Sequence, residues 1–361
     1  MKTIINYAKE ETRTFKDYPF NDVDSLILST ISYYDLSSLV PNLFSKDKYL
    51  IKDIDLKNID LYVLDLPDKK RHKSLLTNIV NNPRFNNLYL DNYYEKESVE
   101  EEIGFKALTI ESNDFIYVSY MGTKTISIIS WKEDFNLAYL CPVPSQKLAV
   151  KYLNKVMLET YKKVYVGGHS KGGNLAIYAS MNTFLINKFR IKKIYSHDGP
   201  GFLKKVFDSR KYNKIKNKIS KTVPTNSIVG MLFYTKEDYK IIKSSGIGVN
   251  QHSPLNWNVL NNNFIYQKDL SWSSKHLDKT LSNWLDNISD IKKKEFIDAL
   301  FSILLSDDFD SKYISNKNYL KMINALRKGL NNIDKDSKDM IIDVLKKLIE
   351  QKKLNILNSN E

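Results

Sequence analysis

Val164-Tyr-Val-Gly-Gly-His-Ser-Lys-Gly-Gly-Asn-Leu-Ala176 decides how the rest of the chain is read. A β-branched apolar run enters Gly168-His169-Ser170-Lys171-Gly172, and a helix-forming segment leaves it. In that context Gly-x-Ser-x-Gly predicts a strand, a sharp turn and a helix, with Ser170 at the turn. The turn strains its backbone, so the hydroxyl stands clear of the sheet. Positions two before and two after must be small, because the strand and helix backbones approach closely. The competing reading is an ordinary glycine-rich turn or a phosphate loop, but no Gly-Lys-Ser/Thr ending follows.

The 361 residues exceed the usual size of one hydrophobic core, and 42% hydrophobic residues with 12% aromatics are ample for a packed interior. The net charge of +13 raises nucleic acid or anionic lipid as partners. The basic residues are scattered among Asp, Glu, Asn and Ile, and no nucleic-acid motif accompanies them, so no nucleic-acid partner is expected. A single cysteine, Cys141, excludes intramolecular disulfides and cysteine zinc sites, which fits a reducing compartment. The N-terminus lacks the apolar core of a signal peptide, and no stretch approaches the roughly 18 apolar residues of a membrane span. A soluble, cytoplasmic protein is expected.

Residues 1–100 read as a mostly helical segment packed on the core. Asp24–Tyr34 and Lys73–Asn81 have helical spacing, with Asp22 or Asp24 placed to cap the first. Strands and helices then alternate through 101–265. Phe105–Glu111, Phe115–Tyr120, Lys163–Gly167 and Ile191–Ser196 read as strands; Ser145–Tyr161 and the segment after Ser170 read as helices. Apolar runs follow at Ser227–Tyr234 and Tyr239–Lys243. This order predicts a mainly parallel sheet flanked by helices, an α/β fold. Residues 266–361 read as a helical appendage, with amphipathic helices at Leu277–Ile288, Lys292–Leu305, Asn318–Leu330 and Lys335–Leu354 and a frayed tail from Asn355.

A serine alcohol needs a base and a group that orients it, and in α/β-hydrolases the chain order is Ser, acid, His. His72 lies in a Lys/Arg-rich, solvated stretch, His169 inside the elbow pointing away from Ser170, and His276 at the start of the appendage. His197 adjoins Asp198. His252 sits in a loop after the last core strand, where the base belongs. The acid candidates are Asp198, ending the strand after the elbow helix in a Gly-Pro-Gly turn, and Asp238, between the last two strands; Asp208 looks solvated. Asp198 could equally be a turn cap. The oxyanion donors would be the Lys171 amide and Thr123, in Val118-Ser-Tyr-Met-Gly-Thr-Lys124.

Tyr120-Met-Gly-Thr123 followed by Trp131-Lys-Glu-Asp-Phe135 resembles the Arg-Gly-Thr/Ser … Trp-x-x-Asp segment of class 3 lipases. Those lipases also carry Gly-His-Ser-x-Gly-Gly, matched at Gly168–Gly173. More closely, the chain is similar to a bacterial family of lipase-like α/β-hydrolases, the Mbeg-like family. Its motifs occur here in order at Asp24, Trp131, Gly168, Asp198, Ser227 and Gln251, spanning roughly residues 20 to 300. The resemblance implies an α/β-hydrolase fold, with Ser170 as nucleophile, His252 as base, Thr123 as oxyanion donor and a structural role for Asp134. Two departures stand out. Met121 replaces the lipases' usual arginine, and Lys221-Thr222 precede Val223-Pro224 where class 3 lipases carry an Asp. The second departure favours Asp198 as the acid. "Lipase" here names a fold relationship and no substrate.

The expectation is a lipase- or esterase-like serine hydrolase acting on a small-molecule or lipid ester through an acyl-enzyme. Ser170, His252 and Asp198 would form the triad, Thr123 and Lys171 the oxyanion hole, with no metal or organic cofactor. The alternative is a non-catalytic interaction protein on the same scaffold, binding through its helical appendage. Weak peripheral contact of the Lys-rich helices with anionic membranes is a third reading.

Overall fold

A computed structural model of the chain describes residues 1–124, 127–207, 210–246, 248–272, 274–275 and 289–304. At its centre is a nine-stranded sheet. β1 (Tyr49–Leu50), β2 (Tyr89–Ser98), β3 (Ile103–Glu111) and β4 (Phe115–Tyr120) pair antiparallel. From β4 the sheet continues in parallel through β5 (Lys163–His169), β6 (Ile191–His197), β7 (Ile219–Pro224) and β8 (Tyr239–Ile242). A short antiparallel strand, Tyr266–Gln267, lies beyond β8. Helices α1 (Ile4–Glu10), α2 (Asp22–Ile31), α3 (Ile59–Tyr62) and α4 (Lys69–Asn81) precede the main strands. α5 (Ile128–Asn136) and α6 (Pro144–Leu158) connect β4 to β5, and α7 (Lys171–Asn182) follows β5. This is the mainly parallel, helix-flanked architecture of an α/β-hydrolase.

Side chains along each strand alternate between the two faces. On β4, Phe115 and Tyr117 join one core, and Ile116 and Val118 the other. The first core is covered by the N-terminal helices, whose Leu26, Ile27, Leu75 and Ile79 meet Leu108 and Ile110. The second is covered by α6 and α7, with Leu153, Val156, Leu175 and Ala176 against Val164, Val166 and Ile194. Each Leu, Ile and Val among them contributes roughly 1.5–3 kcal/mol by leaving water. All ten residues of α2 are buried, so this helix is an interior element rather than an amphipathic cover.

The cap of α2 is Asn21, not Asp22 or Asp24: its side chain accepts the N–H groups of Val23 and Asp24. Asp24 instead pairs at 2.6 Å with Arg84, both side chains fully buried. Strand β2 falls within the segment expected to be helical, its Glu95-Lys96-Glu97 hiding the alternation that marks a half-buried strand. Ser227–Tyr234 is no strand; it is a loop around one 3₁₀ turn, Val229–Met231. The strand that does form nearby is β7, buried despite Lys221. A helix at Asp290–Leu304 packs on α5 through Phe301 against Phe135 and Asp298 against Lys132. The expected helices Leu277–Ile288, Asn318–Leu330 and Lys335–Leu354, the tail, Asp208 and His276 lie outside the described residues. Among the described residues no helix is long and apolar enough to cross a membrane.

Candidate active site

β5 delivers Ser170 to the carboxyl edge of the sheet, between β4 and β6. Its backbone has φ 59° and ψ −134°, a conformation an L-residue holds only when its surroundings impose it. The Ser170 N–H donates to the His197 carbonyl at 2.9 Å, and α7 starts at the next residue. A Cβ on Gly168 would come within 2.3 Å of the Gly172 carbonyl carbon, and one on Gly172 within 2.1 Å of the Tyr120 oxygen. The elbow therefore requires glycine at both positions.

His169 and His197 are register partners, so Ser170 and Asp198 leave neighbouring strands side by side. Strand spacing sets them roughly 5 Å apart. Asp198 also has a positive φ, 50°, and its carboxylate is fully buried. Its Oδ2 lies 2.6 Å from His252 Nδ1. Its Oδ1 accepts the Ser227 hydroxyl at 2.5 Å and the Gly230 N–H at 3.1 Å. A carboxylate only accepts, so the neutral His252 ring carries its proton on Nδ1 and presents a free lone pair on Nε2. Among the described residues the Ser170 hydroxyl forms no hydrogen bond; in resting enzymes that contact is commonly long and tightens with substrate.

The His169 ring, set aside in the sequence reading, packs 4.5 Å from the His252 ring, centre to centre. Its Nε2 meets the His252 carbonyl at 2.8 Å and its Nδ1 meets the Tyr33 hydroxyl at 3.0 Å. The carbonyl accepts, so Nε2 carries the proton and Tyr33 donates to Nδ1. Burial, with His252 beside it, holds the His169 pKa well below the ordinary value, keeping the ring neutral. The remaining candidates lie elsewhere. Asp238 is exposed at the amino end of β8, the opposite edge from Ser170. His197 is buried between Ser25 and Thr222, where burial lowers its pKa to about 3. His72 is not solvated: it is buried on α4, its pKa lowered to about 4.

The Thr123 hydroxyl donates to Asp134, leaving its backbone N–H for a ligand. Lys171 is the first residue of α7, so its N–H has no intrahelical acceptor. The Lys171 side chain, used only for its amide in the sequence reading, is buried beneath this loop, 3.1 Å from Glu133 and 3.4 Å from Asp134. Burial alone would lower its pKa, but the two carboxylates outweigh it and the net shift is upward. Thr123, Asp134 and Lys171 thus join the two oxyanion candidates through one ionic cluster. Beside the loop lies a cavity with a mixed wall: Leu61, Leu64, Leu66, Met121 and the rings of Tyr33 and Tyr62 on one hand, Asp35, Asp65, Glu95, Lys106 and Lys124 on the other. A Gly122 side chain would be 2.1 Å from the Tyr33 hydroxyl and 2.9 Å from Ser170 Cβ, so Tyr33, one wall of this cavity, lies close to Ser170.

A family model described as Mbeg1-like matches residues 79–302. The fold is similar to the lipase from Rhizopus microsporus var. chinensis, with 16% identity, covering 54% of this chain and 70% of that one, at a TM-score of 0.33. It is also similar to the Lip2 lipase from Yarrowia lipolytica, with 14% identity over 58% of this chain and 80% of that one, at a TM-score of 0.32. Comparison with curated protein sequences finds no match.

Proposed function

The chain belongs to the Mbeg1-like family, and within it we propose that this protein is a serine hydrolase that cleaves a carboxylic ester through an acyl-enzyme. The observation that carries the reading is the 2.6 Å contact of buried Asp198 with His252 Nδ1, at the strand end beside the strained Ser170. Ser170 Oγ attacks the ester carbonyl while His252 Nε2 takes its proton. The carbonyl oxygen becomes an oxyanion facing the Lys171 and Thr123 N–H groups. The intermediate then collapses: the carbon–oxygen bond to the alcohol breaks, and His252 returns the proton to that leaving oxygen. Water, deprotonated by the same imidazole, releases the acid and restores Ser170. The mixed wall of the cavity beside the oxyanion loop suits an ester with both an apolar and a polar portion, the first against Leu61, Leu64 and Leu66 and the second near Asp35 and Lys124.

A fluorophosphonate probe tests this directly. Wild-type protein should be labelled and Ser170→Ala should not. Absence of labelling on folded wild-type protein would overturn the reading.

A further inference from the structure

We propose that the edge of the sheet opposite Ser170 is a docking surface for an anionic lipid bilayer. α6 ends at Leu158 and α7 at Asn182, both at the amino end of the parallel strands. The connections that follow leave Leu158, Tyr161, Phe184, Leu185, Ile186 and Phe189 exposed, Phe189 at 72% and Tyr161 at 99%. They form one patch, because the two connections are bonded together. Asn154 Oδ1 accepts the Phe184 N–H at 3.2 Å and the Thr183 hydroxyl at 2.6 Å. Arg190 donates to the Met157 carbonyl at 2.7 Å, its guanidinium 5.9 Å from the Tyr161 ring centre. Single exposed apolar residues are ordinary, but six large ones gathered at one edge mark an interaction surface.

The charge around the patch selects the occupant. Lys211 donates to Asn182 Oδ1 at 3.1 Å and Lys218 to the Lys188 and Ile191 carbonyls at 2.6 and 2.7 Å, which sets both beside the connection that carries Phe184–Phe189. Burial and then Lys211 and Lys214 lower the Lys188 pKa, and burial and then Lys192 that of Lys218. These ammonium groups repel one another. Glu111 and Glu159, the carboxylates closest in sequence to Tyr161, are already held, the first by Lys48 and Lys162, the second by Lys155, while Asp114 and Asp238 stand exposed at the starts of β4 and β8. An apolar and aromatic tip set among mutually repelling lysines matches a bilayer interface of negative surface potential. A second copy of the chain would cover the apolar tip but would bring the same lysines against these. Strands β5 and β6 are seven residues long, which separates the patch from Ser170 by roughly 20 Å. The attachment therefore neither uses nor blocks the proposed active site.

The test is co-sedimentation of the full chain with vesicles of phosphatidylcholine alone or with added phosphatidylglycerol, at low and high salt. Binding is expected only to the anionic vesicles and should weaken with salt. Phe184→Ser/Phe189→Ser should weaken it roughly tenfold or more, and Lys192→Glu should lower it further. Unchanged melting temperature and fluorophosphonate labelling would show that the variants remain folded. Failure of wild type to bind, equal binding by the double variant, or self-association abolished by the same substitutions would each overturn the proposal.

Discussion

Replacing Asp198 by Asn tests the geometry of the site more sharply than deleting it. The side chain keeps its shape, and the three groups around it dictate how an amide must sit. Gly230 N–H can only donate, and it faces Oδ1 at 3.1 Å, so the amide oxygen belongs there. That places the amide NH₂ against His252 Nδ1, where the carboxylate now lies at 2.6 Å. Two donors cannot share that contact, so the imidazole must move its proton to Nε2. Nε2, the atom proposed to take the Ser170 proton, then already holds one and cannot accept another. A triad fixed in the wrong tautomer loses ~10³–10⁴ in kcat, equivalent to ~4–5.5 kcal/mol of transition-state stabilisation. KM should change little, because no group contacting substrate is altered. Turnover of a p-nitrophenyl ester by wild type, Asp198→Asn and Asp238→Asn, with melting temperatures alongside, decides the matter. If Asp198→Asn kept more than about a tenth of wild-type kcat while Asp238→Asn lost it, both the tautomer argument and the choice of acid would fall.

Two further outcomes concern the buried charges. Lys171→Met would leave Glu133 and Asp134 buried without their ammonium, costing ~3–5 kcal/mol, and Glu133→Gln in the same chain should restore part of the loss; thermal unfolding of the three variants would show whether the coupling exists. Burial raises the Asp91 pKa from the ordinary 3.8 to about 7, so between those values the folded protein holds a proton that the unfolded chain releases. Stability should therefore decline as pH rises from about 4 to about 7 and then level off, by at most ~4 kcal/mol. Asp91→Asn should remove that decline, and urea midpoints at pH 5 and pH 8 that shift equally in both proteins would refute it.

What the sequence disclosed about this site was carried by backbone constraints. Gly168 and Gly172 are legible because only glycine fits where strand and helix nearly touch, and Ser170 is legible between them. Asp198 shows through its Asp-Gly-Pro-Gly turn, and His252 through its place after the last parallel strand. Side-chain contacts between distant segments left no such trace. The Tyr33–His169–His252 chain joins α2's end, the elbow and a loop more than 80 residues further on, and no local pattern in any of the three predicts the meeting. Nothing near Lys171 in the sequence marks its side chain as buried, since its partner Glu133 lies 38 positions earlier on another helix. Strand β2 was obscured for a simpler reason: charged side chains on its outer half imitate a solvated helix face.

The position of the proposed acid follows from what occupies the end of β7. Where class 3 lipases carry an aspartate just before Val-Pro, this chain has Lys221-Thr222, both buried: the Thr222 hydroxyl is 2.7 Å from His197 Nδ1 and the Lys221 ammonium 2.6 Å from the Thr235 hydroxyl. A carboxylate one strand nearer Ser170 needs donors that β7 does not supply, and the loop after β7 folds back to provide them. Ser227 gives its hydroxyl and Gly230 its N–H. That approach is open only to glycine, since a Cβ at position 230 would stand 2.2 Å from Asp198 Oδ1. Asp198-Gly-Pro-Gly and Ser227-Ile-Val-Gly-Met-Leu, unrelated when read along the chain, are therefore two halves of one carboxylate site. The second half did not form the strand its apolar run suggests because its backbone is committed to that carboxylate.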